Sequence, residues 1–413
     1  MDKPKLRPLN AVPVSRDGQE LVCLYDATGL ADKQVVVDPQ TFFILSRFDG
    51  EHTLDDIKLA YTRRFGELLL GERLARIVEQ LDEAMLLQSE RLERYQAARL
   101  DAYRRSGVRE PAHAGDGYPA EPDELREYVR SFFTMAGGPG RPEHAVEPLP
   151  VRLLVAPHID FGRGARGYAH AYKALVEAAP ADTYIILGIA HQPTSTPYAV
   201  TRNTFATPLG AVEVDADLVE AIEADYPGDL TADEGAHLSE HSVELHAVML
   251  KALFEDRPFR IVPLLAASFD EFITDEAAPI ELPQVEAMVR ALKGALALDD
   301  KRVCLIAAVD LAHVGNQFGD PGELPAAARG AIEAADREML ATLEHGDVEA
   351  FMASVRADGG RRKICGVPAL YTAVSALDGA AGDAPSSRRL LHYEQAFTPE
   401  IQSLVSFAAM VFR

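Results

Sequence analysis

Three histidines in this chain stand at the ends of apolar runs. The stretch 151-VRLLVAPHIDFGRGARGYAHAYKAL-175 carries the run Leu153 to Ala156 and breaks at Pro157. It then presents His158 and Asp160 and turns through Gly162, Gly164 and Gly167 into a helix. A second stretch, 183-TYIILGIAH-191, ends on His191, and a third, 303-VCLIAAVDLAH-313, ends in Asp310 and His313. Runs of this kind read as buried strands. In open α/β sheets, ligand sites form just past the carboxyl ends of strands, where side chains and backbone donors converge. Imidazole serves as metal ligand, general base and proton carrier, so three of them at such positions mark a site.

Two further stretches carry chemistry. The segment 239-SEHSVELHAVML-250 offers Glu240, His241, Glu244 and His246 at the start of a helix. His237 and His241 have the spacing of a metal pair only if that helix begins before His237. Ser239 in the N-cap position argues against it, so these groups read as caps or substrate contacts. In 361-RRKICGVPALYTAVSALD-378, Cys365 lies in a loop that enters a helix through Gly366 and Pro368. A thiol at a helix N-terminus and close to Lys363 is expected to ionise more readily than a free one, and thiolate is the form that a metal ligand or nucleophile requires. Cys23 and Cys304 fall inside apolar strand runs and read as inert. Three cysteines so far apart make no disulfide framework and fit a reducing compartment.

The elements that must position these groups alternate. Strands are expected at 152–156, 184–189, 260–265, 303–309, 390–396 and 403–411. Helices are expected near 164–178, 215–225, 241–255, 283–298, 325–344 and 368–377. This order calls for an α/β domain, a central sheet with helices on both faces. The amphipathic stretch 121-EPDELREYVRSFF-133 precedes it, with Leu125, Val129, Phe132 and Phe133 on one side, and 137–150 is a loop by composition.

Residues 1 to about 95 have a different character. Two β-rich runs, 20–25 and 34–37, are joined by a turn containing Gly29, and helices are expected over 39–48, over 54–65 after a Thr53/Asp56 capping box, and from Gly71. Together they predict a small winged-helix-like domain. The arginine-rich segment 96–116 reads as a charged, helical linker to a third region, 117–413.

Composition narrows the function classes. The 413 residues are 47% hydrophobic and 25% charged, as in ordinary soluble domains. No apolar run reaches the ~18 residues of a membrane span, and the first residues lack the apolar core of a signal peptide, so the expected location is cytoplasmic. A net charge of −23 argues against a general role in holding nucleic acid, which needs a basic footprint.

The motifs AHAGDGYPAEPDEL (112–125), APHID (156–160), LGIAH (187–191), EHSVE (240–244), VDLAH (309–313) and ICG (364–366) occur here in an order that resembles the MEMO family. Its bacterial members are also called AmmeMemoRadiSam system protein B. The resemblance covers residues 111–413 and implies a fold similar to the class III extradiol dioxygenases, which hold non-haem Fe(II) with two histidines and a carboxylate. It implies that His158, His191 and Cys365 hold one metal ion, with Cys365 in place of the carboxylate. Asp310 and His313 would then be the supporting catalytic pair. The sequence departs from many members in reading Ile159–Asp160–Phe161 after the first histidine, which adds an acidic group to the pocket. Separately, 39-PQTFFILSRFDGEHTLDDIKLAYTRRFG-66 with the helix after it resembles the PqqD-like family, whose members bind a peptide and deliver it to a modifying enzyme. A peptide or radical-SAM partner is the corresponding expectation; a helical cap packed on the main domain is the other.

Two imidazoles and a thiolate form a soft set suited to Fe(II), Cu(I) or Zn(II). Three protein ligands with an open position point to catalysis, because structural zinc normally has four. Three functions follow as expectations: a dioxygenase-like redox enzyme acting on a peptide or other macromolecule, a metal-dependent hydrolase, and a non-enzymatic metal-binding adaptor or carrier.

Overall fold

The strands form where the sequence runs apolar between glycine, proline and acidic breaks. The computed structural model describes residues 1–16, 18–26, 34–143, 148–254, 257–274, 277–377 and 387–413; the turn expected at Gly29 lies outside them. The chain divides into two units, Met1–Arg105 and Ser106–Arg413.

In the first unit, β1 (Asn10–Arg16), β2 (Gln19–Tyr25) and β3 (Val35–Val37) form an antiparallel sheet in that order. β1 was not among the expected strands. Its residues are mostly exposed and include Asn10, Pro13, Ser15 and Arg16, so no buried face imposes an apolar alternation on it. Helices α1 (Pro39–Leu45), α2 (Leu54–Phe65) and α3 (Gly71–Glu83) follow. α2 starts with the capping box expected at Thr53 and Asp56 and stops at Gly66, whose φ of 74° lies in the left-handed region. Ile44, Ile57, Tyr61, Leu74 and Leu81 close a small core of their own. The arginine-rich run is helix α4 (Glu90–Ser106), so the segment set apart as a linker holds the end of that helix and then β4 (Val108–Arg109).

The second unit begins with β4 and α5 (Pro122–Thr134), then β5 (Leu153–Ala156), α6 (Phe161–Val176), β6 (Thr183–Ile189), β7 (Tyr198–Val200), β8 (Thr204–Thr207) and β9 (Gly210–Val212). There follow α7 (Ala216–Ala224), α8 (His241–Leu253), β10 (Arg260–Ala266), α9 (Asp270–Thr274), α10 (Pro283–Leu296), β11 (Val303–Ala308) and β12 (His313–Gly315). It ends with α11 (Ala326–His345), α12 (Val348–Arg356), α13 (Val367–Leu377), β13 (Arg388–Thr398) and β14 (Ser403–Phe412).

The sheet is mixed and has eight strands. β5, β11, β6 and β10 lie side by side and parallel. β7 adds antiparallel to β10, and β14 adds antiparallel to β5, with β12 and β13 paired to β14. Alternate residues serve opposite cores. Leu153 and Val155 join the layer formed with α7 and α10 to α13, whereas Leu154 and Ala156 face the layer formed with α5, α6 and α8. Helices on both faces bury the central strands completely, which is why those strands read as continuous apolar runs. A separate small sheet joins β4, β8 and β9.

Candidate metal centre

Because β5, β11 and β6 are adjacent and parallel, the segments that leave their carboxyl ends are neighbours. That topology alone brings His158, Asp310 and His191 to one edge of the sheet. His158 is buried, and its Nδ1 is 2.8 Å from the Ala308 carbonyl of the adjoining strand, which leaves Nε2 to face the site. The His158 backbone N–H donates to Asp310 Oδ1 at 3.1 Å.

The third imidazole comes from α8. His191, His241 and His158 place a ring nitrogen each within 4.8 Å of one another, with ring centres 4.8 to 5.4 Å apart. His158 is buried and His241 half-buried, whereas His191 is open at the mouth of the site. One carboxylate holds two of the rings. Glu240 accepts from Nδ1 of His191 at 3.1 Å and lies 3.2 Å from Nδ1 of His241. It also caps α8 through the Ser242 N–H, so the N-cap is Glu240 rather than Ser239. Gly188 permits this approach: a Cβ there would come within 2.5 Å of Ser242 Oγ and 2.8 Å of Val243 Cγ2.

Cys365 reaches the same place from the loop before α13. Its Sγ is 3.5 Å from His158 Nε2 and 3.7 Å from the Asp310 carbonyl. Gly366 seats the loop, because a Cβ would fall 2.6 Å from that carbonyl and 2.7 Å from Val309 Cβ. The expected easy ionisation of Cys365 is corrected here. Burial pushes the thiol well above its ordinary range, the Asp310 carboxylate adds to this, and Lys363 spends its charge on Asp320 at 2.5 Å. Without a metal ion the sulfur is a protonated thiol.

Burial drives His158 and His241 down to about 3, so both are neutral and carry a lone pair at pH 7. At His191 burial works the same way, but the Glu240 carboxylate outweighs it and the net shift is upward. Glu240 itself, although buried, is held far below the usual carboxylate range by His191 and His241. Burial raises Asp310 to about 6. His313 is lowered by burial; its Nδ1 lies 3.0 Å from the Leu311 carbonyl and its ring packs edge-on against Phe318.

His158, His191, His241, Asp310 and His313 line a cavity of about 350 Å³, together with Asp160 and Arg163. A second cavity, of about 510 Å³, meets it at His191 and is lined by Cys365, Phe269 and Lys363. Asp160 is therefore at the pocket, where it also caps α6 and pairs with Arg163 at 2.6 Å. Glu244, expected in the pocket, is not there. It is buried against Arg109 and Tyr118 and also accepts from the backbone of Ala112 and His113. His246 is buried between Tyr172 and the Pro157 carbonyl, and His237 bonds the Ala199 carbonyl. Neither belongs to the site.

Two contributors escaped the sequence reading. His113 lines the pocket with its Nε2 3.0 Å from the Ser239 carbonyl; its signal was the 112–125 motif, from which no residue was singled out. Arg109 is buried and donates to the His237 and Glu240 carbonyls, which fixes the entry into α8. Nothing in an isolated Val-Arg-Glu announces that.

Residues 109–411 match the family model described as Memo-like protein. A MEMO1 family protein of Aquifex aeolicus is 28% identical over 410 residues, covering 99% of this chain and all of that protein. A MEMO1 family protein of Thermus thermophilus is 31% identical, over 75% of this chain and 86% of its own length. One from Methanopyrus kandleri is 29% identical over 74% of this chain, which takes in 99% of that protein.

Proposed function

The chain belongs to the Memo-like family, and on that premise we propose that it is a metal-dependent, dioxygenase-like oxidoreductase using Fe(II) on a peptide or other macromolecular substrate. The observation that carries the metal reading is the state of the three imidazoles. His158 and His191 have Nδ1 committed to protein acceptors, and Nδ1 of His241 lies beside the same carboxylate as that of His191. A ring nitrogen of each converges with the other two on a cavity. A metal ligand histidine needs such a partner on its other nitrogen. The donor set also fits in size. Metal bonds of about 2.0 Å to nitrogen and 2.3 Å to sulfur at a tetrahedral angle put the two atoms roughly 3.5 Å apart, and Cys365 Sγ lies 3.5 Å from His158 Nε2. His158 and His191, with His241 or Cys365 as the third donor, are the residues that would hold the ion, which keeps one position open.

Fe(II) at this position supplies redox chemistry and coordination sites for small ligands. The chain's own residues do the rest. His313, with Nδ1 held by Leu311, offers Nε2 for proton transfer at the pocket wall, and Asp310, which accepts from the His158 backbone N–H, holds an orienting carboxylate beside it. The fold that the family resemblance implies, similar to class III extradiol dioxygenases, supports the redox assignment. In this reading the first unit, which resembles PqqD-like modules, presents the peptide.

A second reading rests on the soft Cys365 sulfur, which favours Cu(I) and a carrier role. The metal content and oxygen consumption of protein purified without air separate them. Iron with oxygen uptake supports the enzyme. Copper with no turnover supports the carrier, and zinc supports neither.

A further inference from the structure

We infer a second binding site, for a small organic anion with an apolar body, at the end of the second unit away from the metal centre. A cavity of about 530 Å³ lies between α5, the end of α6 and the end of α8. His241 opens α8 and Leu253 closes it, so the two sites are separated by roughly 18 Å along that helix at 1.5 Å per residue. The floor is apolar, with Phe133, Val176, Leu253 and Phe254 among its residues. Four arginines, Arg126, Arg130, Arg141 and Arg257, line it, and among the described residues no carboxylate does. In a chain of net charge −23 this is a local reversal of sign.

Three described acids near the cavity have partners of their own. Asp123 takes Arg126 at 2.7 Å, Glu177 takes Lys173 at 2.5 Å, and Asp182, near Arg257, takes Arg302 at 3.0 Å. Among the described residues none of the ion pairs involves Arg130, Arg141 or Arg257. Cationic side chains at helix ends can simply complement the partial charge of the last carbonyls, and three helices end near this cavity. That charge is about half a unit per helix, against three guanidinium groups. Over the described residues the surplus remains positive by about one to two charges, enough for a carboxylate or a phosphomonoester. Guanidinium recognises both through paired N–H donors. The volume lies in the range of small-molecule pockets, and an apolar floor with a few polar anchors is their usual composition.

Isothermal titration of the whole chain with octyl phosphate, octanoate, octanol and inorganic phosphate tests this. One octyl anion should bind per chain, with octanol and inorganic phosphate at least ten-fold weaker. Binding of one anion and not the other identifies the head group and supports the site equally. The double variant Arg130→Gln/Arg141→Gln should lose at least ten-fold in affinity while its metal content and melting temperature stay unchanged. Arg290→Gln, at an exposed position of α10, should bind as the wild type does. Octanol binding as tightly as the anions, an unaffected double variant, or no saturable binding of either anion would each overturn the assignment.

Discussion

His158 and His191 belong to every donor set the site allows, so their substitution should be decisive. His158→Ala and His191→Ala are expected to purify without metal, read by elemental analysis of dialysed protein. His241→Ala and Cys365→Ser, made separately, should each weaken binding by at least ~10-fold, since each removes one donor and leaves the others in place. A variant that binds like wild type takes its residue out of the set. Glu240→Gln tests the orienting carboxylate. It keeps the shape but not the charge that holds Nδ1 of His191 and stands beside Nδ1 of His241, and partners of this kind are worth ~10–100-fold in metal affinity or activity. At this scale the sequence was legible where a residue ends a strand, because burial on both faces writes strands as apolar runs. It was illegible at His241. The spacing to His237 invited a search within one helix, while the partners of His241 come from loops after β5 and β6. The Cys365 thiol was misread for a related reason: Lys363 is close in sequence but pairs with Asp320.

Between elements, close approach and charge do the positioning. Gly188→Ala should push α8 off β6, costing about 1–3 kcal/mol by overpacking and lowering metal affinity with it, because Glu240 and His241 open that helix. Gly294→Ala is the contrasting case. It lies inside α10 with nothing within 4 Å of the added Cβ, and should raise stability by roughly 0.5–1 kcal/mol in chemical denaturation. An ion pair ties α6 to β13. Burial opposes the charge on Glu394, but Arg166 and His392 outweigh it and hold the carboxyl at about 2. A depressed folded-state value means that the contribution is present above the unfolded value and lost as pH falls through the folded one. The stability gap between wild type and Glu394→Gln should therefore be full above about pH 4.5 and shrink as pH falls toward 2. Helices of ten or more residues were placed well from the sequence. The three- and four-residue β7, β8 and β9 gave too little periodicity to be read, and the nine-residue α12 was missed although α7, of the same length, was not.

For the molecule as a whole, the division at Arg105/Ser106 predicts where it can be cut. A chain beginning at Ser106 should fold and bind metal with the stoichiometry of the whole. A start at residue 111, where the motif resemblance begins, should fare worse. It deletes β4 and with it Arg109, whose loss leaves Glu244 as a buried charge without its guanidinium, a change that costs about 3–5 kcal/mol. Melting temperatures and metal content of the two truncated chains check both statements. The match to the Aquifex aeolicus protein runs the length of both chains, so the first unit is shared with a relative rather than peculiar to this protein. Its helices and the strands β2 and β3 were readable from caps and apolar runs, whereas β1, with no buried face, left no periodic mark.

The strand that leads to His158 has one more consequence, in time rather than space. β5 pairs with β11 and β14, whose residues lie roughly 150 and 250 positions further along the chain, and contacts of such long range form late because the loops between them must close first. His158 draws its hydrogen bonds from Ala308 and Asp310, and its sulfur neighbour is Cys365. A nascent or partly refolded chain thus has histidines but no cage. Metal uptake should lag the recovery of helical signal during refolding and follow the formation of the central sheet, which makes the ion a reporter of the last step of folding rather than a seed for the first.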